Sequence, residues 1–168
     1  MEEKSVAGSA AAMPSVVVRR ARTEDLDDLV RLWREMWEVH APLDPRFEIT
    51  AAAEVVMGKW FEETLENDRA ALFVAEEHPG TALGYVHAMI LENPPVVPWQ
   101  YYGYVSELAV HERRRGIGGS LLDAAHAWFR EKNLSYAEVN VSVRNAGAGR
   151  FWRKQGYSEF LERLRREL

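Results

Sequence analysis

Two features of the sequence predict a single mixed α/β (α+β) domain. Segments with strand-like and helix-like hydrophobic patterns follow one another in the order strand, two helices, three strands, helix, strand, helix and tail. Neither an internal repeat nor a Pro/Gly/Ser-rich linker divides the 168 residues, and domains commonly hold about 100–200 residues. We therefore expect one domain over residues 15–168. Residues 1–14 are expected to be a leader or an extension added for expression.

The first half of the chain predicts one strand and two helices. A run of valines marks a strand over residues 15–20. Apolar residues at three- and four-residue spacing from Leu26 to Trp37 predict an amphipathic helix, which the proline-containing segment 40–45 ends. A second helix is predicted over residues 51–67.

The second half predicts four strands and two helices. A turn at His78-Pro79-Gly80 joins the first two of these strands as a hairpin, and Gly156 is expected to end the last helix. The tail from Ser158 is rich in Glu, Arg and Leu, which favours a helix by propensity alone. The predicted segments are strands over 71–76, 82–91, 102–110 and 136–143, and helices over 118–132 and 146–155.

Composition excludes several classes of site. The chain contains no cysteine, so disulfide scaffolds, thiol nucleophiles and cysteine-ligated metals are excluded. A chain without cysteine has no disulfide to lose in a reducing compartment, so we expect a cytoplasmic protein. No apolar run reaches the roughly 18 residues of a membrane-spanning helix, and no membrane partner is expected. The five histidines stand at no metal-ligand spacing, so no metal is expected.

The net charge of -5 is unevenly distributed along the chain. Residues 1–90 hold 17 acids and 9 bases, whereas residues 91–168 hold 9 acids and 12 bases. Chance distribution of surface charge is one interpretation. The other is an acidic half that meets a cation and a basic half that meets an anion. The overall acidity argues against nucleic acid as a partner.

The segment Val110–Leu122 carries the strongest chemical signal. A strand ends there, a turn with three arginines and three glycines follows, and a helix begins. Backbone N–H groups and the positive end of the helix dipole then converge on one place, which favours an anion such as a diphosphate. A Walker loop is absent, and Leu121 stands where a dinucleotide fingerprint needs Gly or Ala. A plain glycine-rich turn with solvated arginines is the alternative.

Two motifs flank the helix predicted over 118–132. Arg113-x-x-Gly116-x-Gly118 follows a strand end at Leu108-Ala109-Val110. Downstream lies Val139-x-Val141-x-x-x-Asn145-x-x-Ala148-x-x-Phe151-Trp152-x-x-x-Gly156-Tyr157. Together they resemble the two signatures of the GNAT superfamily of acetyl-coenzyme A (acetyl-CoA)-dependent N-acetyltransferases. The element order matches too, so the resemblance covers about residues 15–168.

This resemblance implies the details of the fold. The sheet would be a GNAT-type mixed, mostly antiparallel sheet flanked by helices, and splayed between strands 4 and 5. The tail would form a strand to about Leu164, because the family ends in a strand and tertiary pairing often overrides propensity. Homodimers are common in the family, so a homodimer is expected.

The resemblance also implies which residues hold acetyl-CoA. Backbone groups of the fourth strand would bond the pantetheine arm, the pyrophosphate would lie over the glycine-rich turn, and the last helix would border the arm. Asn145 has a second interpretation, as a helix N-cap. The implied cofactor-binding residues are Leu108, Ala109, Val110, Arg113, Arg114, Arg115, Gly116, Ile117, Gly118, Gly119, Ser120, Asn145, Ala148, Phe151 and Trp152.

The implied reaction is direct acetyl transfer from acetyl-CoA to a primary amine of a small molecule or peptide, in a ternary complex. An alkyl amine such as lysine has a pKa of about 10.4, so a base must remove a proton. Glu107 is the favoured base, and Tyr104 is the runner-up, as acid or base. Strand alternation puts Tyr104 on the face of Leu108 and Glu107 on the opposite face, unless a bulge re-aims one of them.

Two positions depart from the family pattern. Trp152 stands where a proton-donating tyrosine is frequent, and Asn140 aligns with the base of ribosomal-protein acetyltransferases. Neither side chain can serve in those roles. The resemblance therefore leaves open a non-catalytic module of the same fold that binds CoA or acyl-CoA.

The first half is expected to select the acceptor. Its aromatic and acidic residues suit a cationic amine, through cation–π contacts and charge attraction. For Trp33 and Trp37 we favour the competing interpretation that they are core residues at helical spacing. The predicted walls are the segment 33–40, Asp44, Arg46, Trp99, Tyr101 and Tyr102.

Overall fold

A computed structural model describes residues 16–78, 80–111 and 116–168 of the chain. In these residues five strands form one sheet in the order β1-β2-β3-β4-β5, and β4 and β5 are parallel whereas the other neighbours are antiparallel. This confirms the predicted mixed, mostly antiparallel sheet. The strands are β1 Val17–Arg20, β2 Ala70–His78, β3 Thr81–Glu92, β4 Tyr101–Val110 and β5 Ala137–Val139.

Helices cover both faces of this sheet. In the described ranges they are α1 Leu26–His40, α2 Ala53–Leu65, α3 Ile117–Glu131 and α4 Ala146–Lys154. Helices α1 and α2 bury Leu32 and Phe61 against one face, and α3 and α4 bury Leu121 and Trp152 against the other. The apolar spacing of each helix accounts for this, since residues three and four apart share one helical face.

The predicted splay lies between β4 and β5. Their pairing ends at Val105 and Val139, whereas β4 continues to Val110. Strand β5 is therefore three residues long, shorter than the segment 136–143 predicted from β-propensity. Propensity marks residues that can be extended, but a strand needs a neighbour within hydrogen-bonding distance, and the neighbours diverge here.

The prediction of a strand in the tail is wrong. After Gly156, whose positive φ of 88° ends α4, residues 157–168 form neither strand nor helix. Phe160, Leu161 and Leu164 are exposed, so no apolar face is buried that would fix a strand register. Ion pairs connect the tail instead, between Arg153 and Glu159, Arg165 and Asp44, and Arg46 and Glu167.

Replacing two glycines by alanine is expected to change stability in opposite directions. A Cβ at Gly103 in β4 would lie 2.8 Å from the buried ring of Phe129, so Gly103→Ala should cost about 1–3 kcal/mol by overpacking. At Gly58 in α2 a Cβ meets Val30 at an ordinary 3.7 Å, so Gly58→Ala should gain about 0.5–1 kcal/mol of helix stability. Urea denaturation measures both changes. A Gly103→Ala variant as stable as the native chain would contradict the tight packing of β4 on α3.

Candidate active site

The splay opens a groove of about 2410 Å³ along β4. One part of its wall is formed by the start of α3, by α4 and by the residues that precede α4. The other part is formed by α1, the segment after α1 and the C-terminal tail. Glu107, Leu108 and Val110 of β4 line the groove between these parts. One strand therefore contributes to both halves of the site.

The open edge of β4 offers backbone groups to this groove. The N–H of His111 donates to the carbonyl of Leu83 at 2.8 Å, and antiparallel pairs alternate between bonded and non-bonded positions. Ala109 is therefore bonded to β3, whereas the backbone groups of Leu108 and Val110 turn toward the splayed side. An extended ligand can bond to these two residues, but not to the backbone of Ala109.

The start of α3 can bind an anion. Gly116 has a positive φ of 77°, which L-residues rarely adopt, and it turns the chain into the helix at the buried Ile117. Gly118 and Gly119 line the groove without a side chain, so the first free N–H groups of the helix are accessible. The N–H of Ser120 is not free in the same way, because it donates to the Gly116 carbonyl at 3.1 Å. Arg113, Arg114 and Arg115 lie outside the described residues.

Helix α4 borders the same part of the groove. The side-chain oxygen of Asn145 accepts from the Ala148 N–H at 3.0 Å, which confirms the N-cap interpretation. Asn145, Ala148 and Phe151 line the groove, and the Phe151 ring comes within 3.4 Å of where a Cβ on Gly118 would lie. Trp152 is buried and packs edge-to-face on Tyr157 at 5.1 Å, so packing accounts for most of its surface.

A β-bulge at Ser106 corrects the predicted faces of β4. His87 of β3 pairs with Glu107, but the adjacent Ala88 pairs with Val105, so Ser106 is the extra residue. Val105 packs on the α3–α4 side, whereas Ala109 packs on the α1–α2 side, although simple alternation would put both on one face. Tyr104 therefore shares the α1–α2 face with Glu107, and not the face of Leu108.

Glu107 is a buried carboxyl at the groove wall. Its Oε2 accepts a hydrogen bond from the Tyr85 hydroxyl at 2.9 Å, and its side chain is 11% exposed. Burial raises the pKa of Glu107 to about 7, while the hydroxyl of Tyr85 and the indole of Trp33 act in the opposite direction. A carboxyl with this pKa can gain and lose a proton near neutral pH.

Tyr104 is the second ionisable group on this face. Its hydroxyl accepts from the Asn140 amide at 2.9 Å, and burial raises the pKa of this phenol above its ordinary value. Asn140 is thus a partner of Tyr104. A neutral phenol that accepts from an amide keeps its proton available for donation.

Sequence reasoning missed the partners that β3 supplies to Glu107. Tyr85 and His87 alternate along β3 and face α2, where the ring of Phe61 packs against Tyr85. His87 is completely buried, and its Nδ1 lies 4.0 Å from Oε2 of Glu107. The period of two along β3 puts these polar side chains on one face, but only the register with β4 brings Glu107 between them.

Some of the residues predicted to form the acceptor walls line the groove. Trp33 is buried in the core, as the competing interpretation held, and Trp37 lies at the groove within a ring cluster with His40 and Phe47. Asp44 and Arg46 line the groove. The aromatic residues Trp99, Tyr101 and Tyr102 are not among the residues that line it.

Two classes of site find no support in the described residues. No group of three or more His, Asp or Glu side chains there could hold a metal ion. Among the same residues, no helix is long and apolar enough to cross a membrane.

The comparison with protein families decides what kind of domain this is. The model of the acetyltransferase (GNAT) family matches residues 26–157, which include the open edge of β4, the start of α3 and the capped start of α4. The chain belongs to the GNAT acetyltransferase family. It is therefore an acyltransferase.

Curated relatives and solved structures agree with this family. The chain is 32% identical to an uncharacterized N-acetyltransferase of Archaeoglobus fulgidus over 82% of its own length and 90% of that protein. It is 34% identical to the N-alpha-acetyltransferase daf-31 of Caenorhabditis elegans, over 45% of this chain and only 42% of that relative. A mutant BH1408 protein of Bacillus halodurans has the same fold, with a TM-score of 0.81 at 19% identity over 90% of this chain and 99% of that chain.

The fold is also that of an aminoglycoside N-acetyltransferase, AAC(6')-Iy, solved in complex with CoA. The TM-score is 0.72 at 20% identity, over 92% of this chain and 95% of that chain. At this identity the likeness establishes the GNAT fold alone.

The raised pKa of Glu107 is expected to lower stability as the pH rises. The folded GNAT domain holds a proton on Glu107 up to about pH 7, whereas the unfolded chain releases it near the ordinary value of 4.5. Stability is therefore lost through this window. Urea denaturation should show the stability of Glu107→Gln, relative to the native chain, rising by about 2 kcal/mol from pH 5 to pH 8. The control Glu62→Gln, on the exposed side of α2, should show no such rise; equal behaviour of the two variants would contradict the raised pKa.

Proposed function

We propose that this chain transfers an acetyl group from acetyl-CoA to a primary amine of a small molecule or peptide, directly within a ternary complex, through a domain over residues 15–168. One observation carries the proposal. The open backbone edge of β4, the start of α3 and the side chain of Glu107 all line the same groove. A thioester bound along β4 would therefore lie beside a base.

The residues of the groove suit the chemistry of CoA. The N–H groups at Gly118 and Gly119 suit a diphosphate, and the backbone of Leu108 and Val110 suits the amides of a pantetheine arm. A backbone N–H of this edge is also proposed to bond the thioester oxygen, where it would stabilise the negative oxygen of a tetrahedral intermediate. The arginines 113–115 are proposed to add charge-assisted contacts.

Glu107 is proposed as the general base. A primary amine arrives as an ammonium ion, and the carboxylate accepts its proton, directly or through one water. The free amine forms the C–N bond, and the C–S bond of the thioester then breaks. As the amide forms, its nitrogen releases its second proton to water. Tyr104 is proposed to donate its phenolic proton to the departing thiolate and to regain a proton from water, a role that the indole of Trp152 cannot fill.

The acceptor is proposed to be cationic in the sense that its amine is protonated when it binds. Several acidic residues of the groove wall are already paired with basic side chains, so they require no further positive charge on the acceptor. Glu35 is bonded to His111 at 2.8 Å, and Asp44 is paired with Arg165 at 3.3 Å. A homodimer and a cytoplasmic location remain predictions.

Coenzyme A is expected to raise the melting temperature of the protein. Gly119→Asp puts a negative charge in the first turn of α3, which favours the helix dipole but repels a diphosphate. The variant should remain folded and bind CoA at least about tenfold more weakly, since tenfold corresponds to about 1.4 kcal/mol. Ala52→Asp adds the same charge at the start of α2 and serves as control. A chain whose melting temperature does not respond to CoA would overturn the cofactor proposal.

Turnover with a panel of amines tests the catalytic proposal, and it is monitored through the thiol group of the CoA that is released. Glu107→Gln is expected to lower kcat by about 10²–10⁴-fold, the range typical of general acid–base catalysis. Tyr104→Phe should lower it less, because a thiolate is a tolerable leaving group at neutral pH. Glu62→Gln should leave kcat unchanged. Tight CoA binding without turnover on any amine would favour the non-catalytic module instead.

A further inference from the structure

His87 is a buried ionisable side chain that the proposed reaction does not use. It is completely buried in β3 and packs edge-to-face on the indole of Trp60, with ring centroids 4.6 Å apart. Among the described residues, neither of its ring nitrogens has a hydrogen-bond partner. An unpaired polar group in the interior costs stability, so a side chain that only filled space here would better be apolar.

The polar group that faces His87 is the carboxyl of Glu107. The two residues pair across β3 and β4, and Nδ1 of His87 lies 4.0 Å from Oε2 of Glu107. The same oxygen accepts the Tyr85 hydroxyl at 2.9 Å. Burial lowers the pKa of His87 to about 4, so at neutral pH the imidazole is neutral and one nitrogen is an acceptor.

Building on the proposed role of Glu107 as base, we propose that His87 is a positioning residue whose Nδ1 accepts a hydrogen bond from the Glu107 carboxyl after it takes the proton of the amine. Tyr85 has the complementary role, because its hydroxyl donates to the carboxylate before the transfer. A carboxylate oxygen and the Nδ1 lone pair repel each other, which explains a separation longer than a hydrogen bond. Protonation of Glu107 supplies the hydrogen that joins them. The proton stays on the carboxyl until it is released to water, and His87 gains no charge.

The surroundings leave few other groups that could set the proton affinity of Glu107. In the described residues, β3 supplies Tyr85 and His87. Strand β4 itself supplies Tyr104, whose charged neighbours besides Glu107 are Arg163 of the tail and Glu138 of β5. Helix α1 supplies the uncharged indole of Trp33, and its groove-lining Glu35 is paired with Arg31 and His111. Helix α2 presents the uncharged rings of Trp60 and Phe61 to His87.

Carbon-13 NMR of the protein labelled at glutamate carboxyls tests this inference without any substrate, with Glu107→Gln used to assign the signal. His87→Phe keeps an aromatic ring but removes the acceptor, so the pKa of Glu107 should fall by about half a unit to one unit, as loss of one neutral hydrogen bond predicts. His87→Gln keeps an acceptor and should restore most of the native value. Tyr85→Phe removes the donor to the carboxylate and should raise it. If His87→Phe does not fold, His87→Leu replaces it, because leucine is smaller than phenylalanine. The pKa of Glu107 should fall by the same amount in that variant.

An unchanged or raised pKa of Glu107 in folded His87→Phe or His87→Leu would overturn the inference. With an amine from the panel, the acid limb of kcat against pH should move in parallel with the NMR value, while KM for acetyl-CoA stays constant. A role of His87 in packing alone would lower stability and leave that limb in place. If the NMR shift occurs but Glu107→Gln retains full activity, the hydrogen bond stands and the base role of Glu107 falls.

Discussion

The backbone hydrogen bonds of β4 are the constraint on which the rest of the site depends. Pairing with β5 ends at Val105, while pairing with β3 continues to Val110, so the second edge of β4 faces the groove. Backbone groups without a partner must be satisfied by water or by a ligand. The divergence of two strands thus creates a linear row of donors and acceptors at Leu108 and Val110, and the start of α3 adds the free N–H groups of a helix N-terminus to the same groove.

The bulge at Ser106 allows one strand to serve two different purposes. Without an extra residue, Val105, Glu107 and Ala109 would share one face, and Glu107 would point among the apolar residues under α3 and α4. The burial of Val105 on one side and Ala109 on the other holds the bulge in place, because a slip would move one of them out of the core in which it packs. Glu107 consequently lies with Tyr85, His87 and Tyr104 on the α1–α2 side, and its side chain and the backbone row at the strand edge line the same groove.

In the folded protein, ion pairs neutralise part of the charge asymmetry of the chain. Acidic residues predominate in the first half, yet at the groove wall Glu35 and Asp44 are engaged with His111, Arg144 and Arg165. Such pairs link α1 to the end of β4, and the segment after α1 to the segment before α4 and to the tail. Glu107 differs from them because its partners are neutral hydrogen-bonding groups, and its proton affinity is set by burial.

The sequence by itself determined the family, the element order and the glycine-rich start of α3, because these depend on local patterns. The glycines at the start of α3, the Asn145 cap and the apolar spacing of the helices act within a few residues, so such signals can be recognised in the sequence alone. Only the tertiary structure decided which face Glu107 occupies, which partners surround it and how the tail lies. These depend on strand register, on a single inserted residue and on ion pairs between segments more than a hundred residues apart, such as Asp44 and Arg165. Periodicity cannot reveal them, since a bulge reverses every later side chain without changing the hydrophobic pattern enough to be recognised.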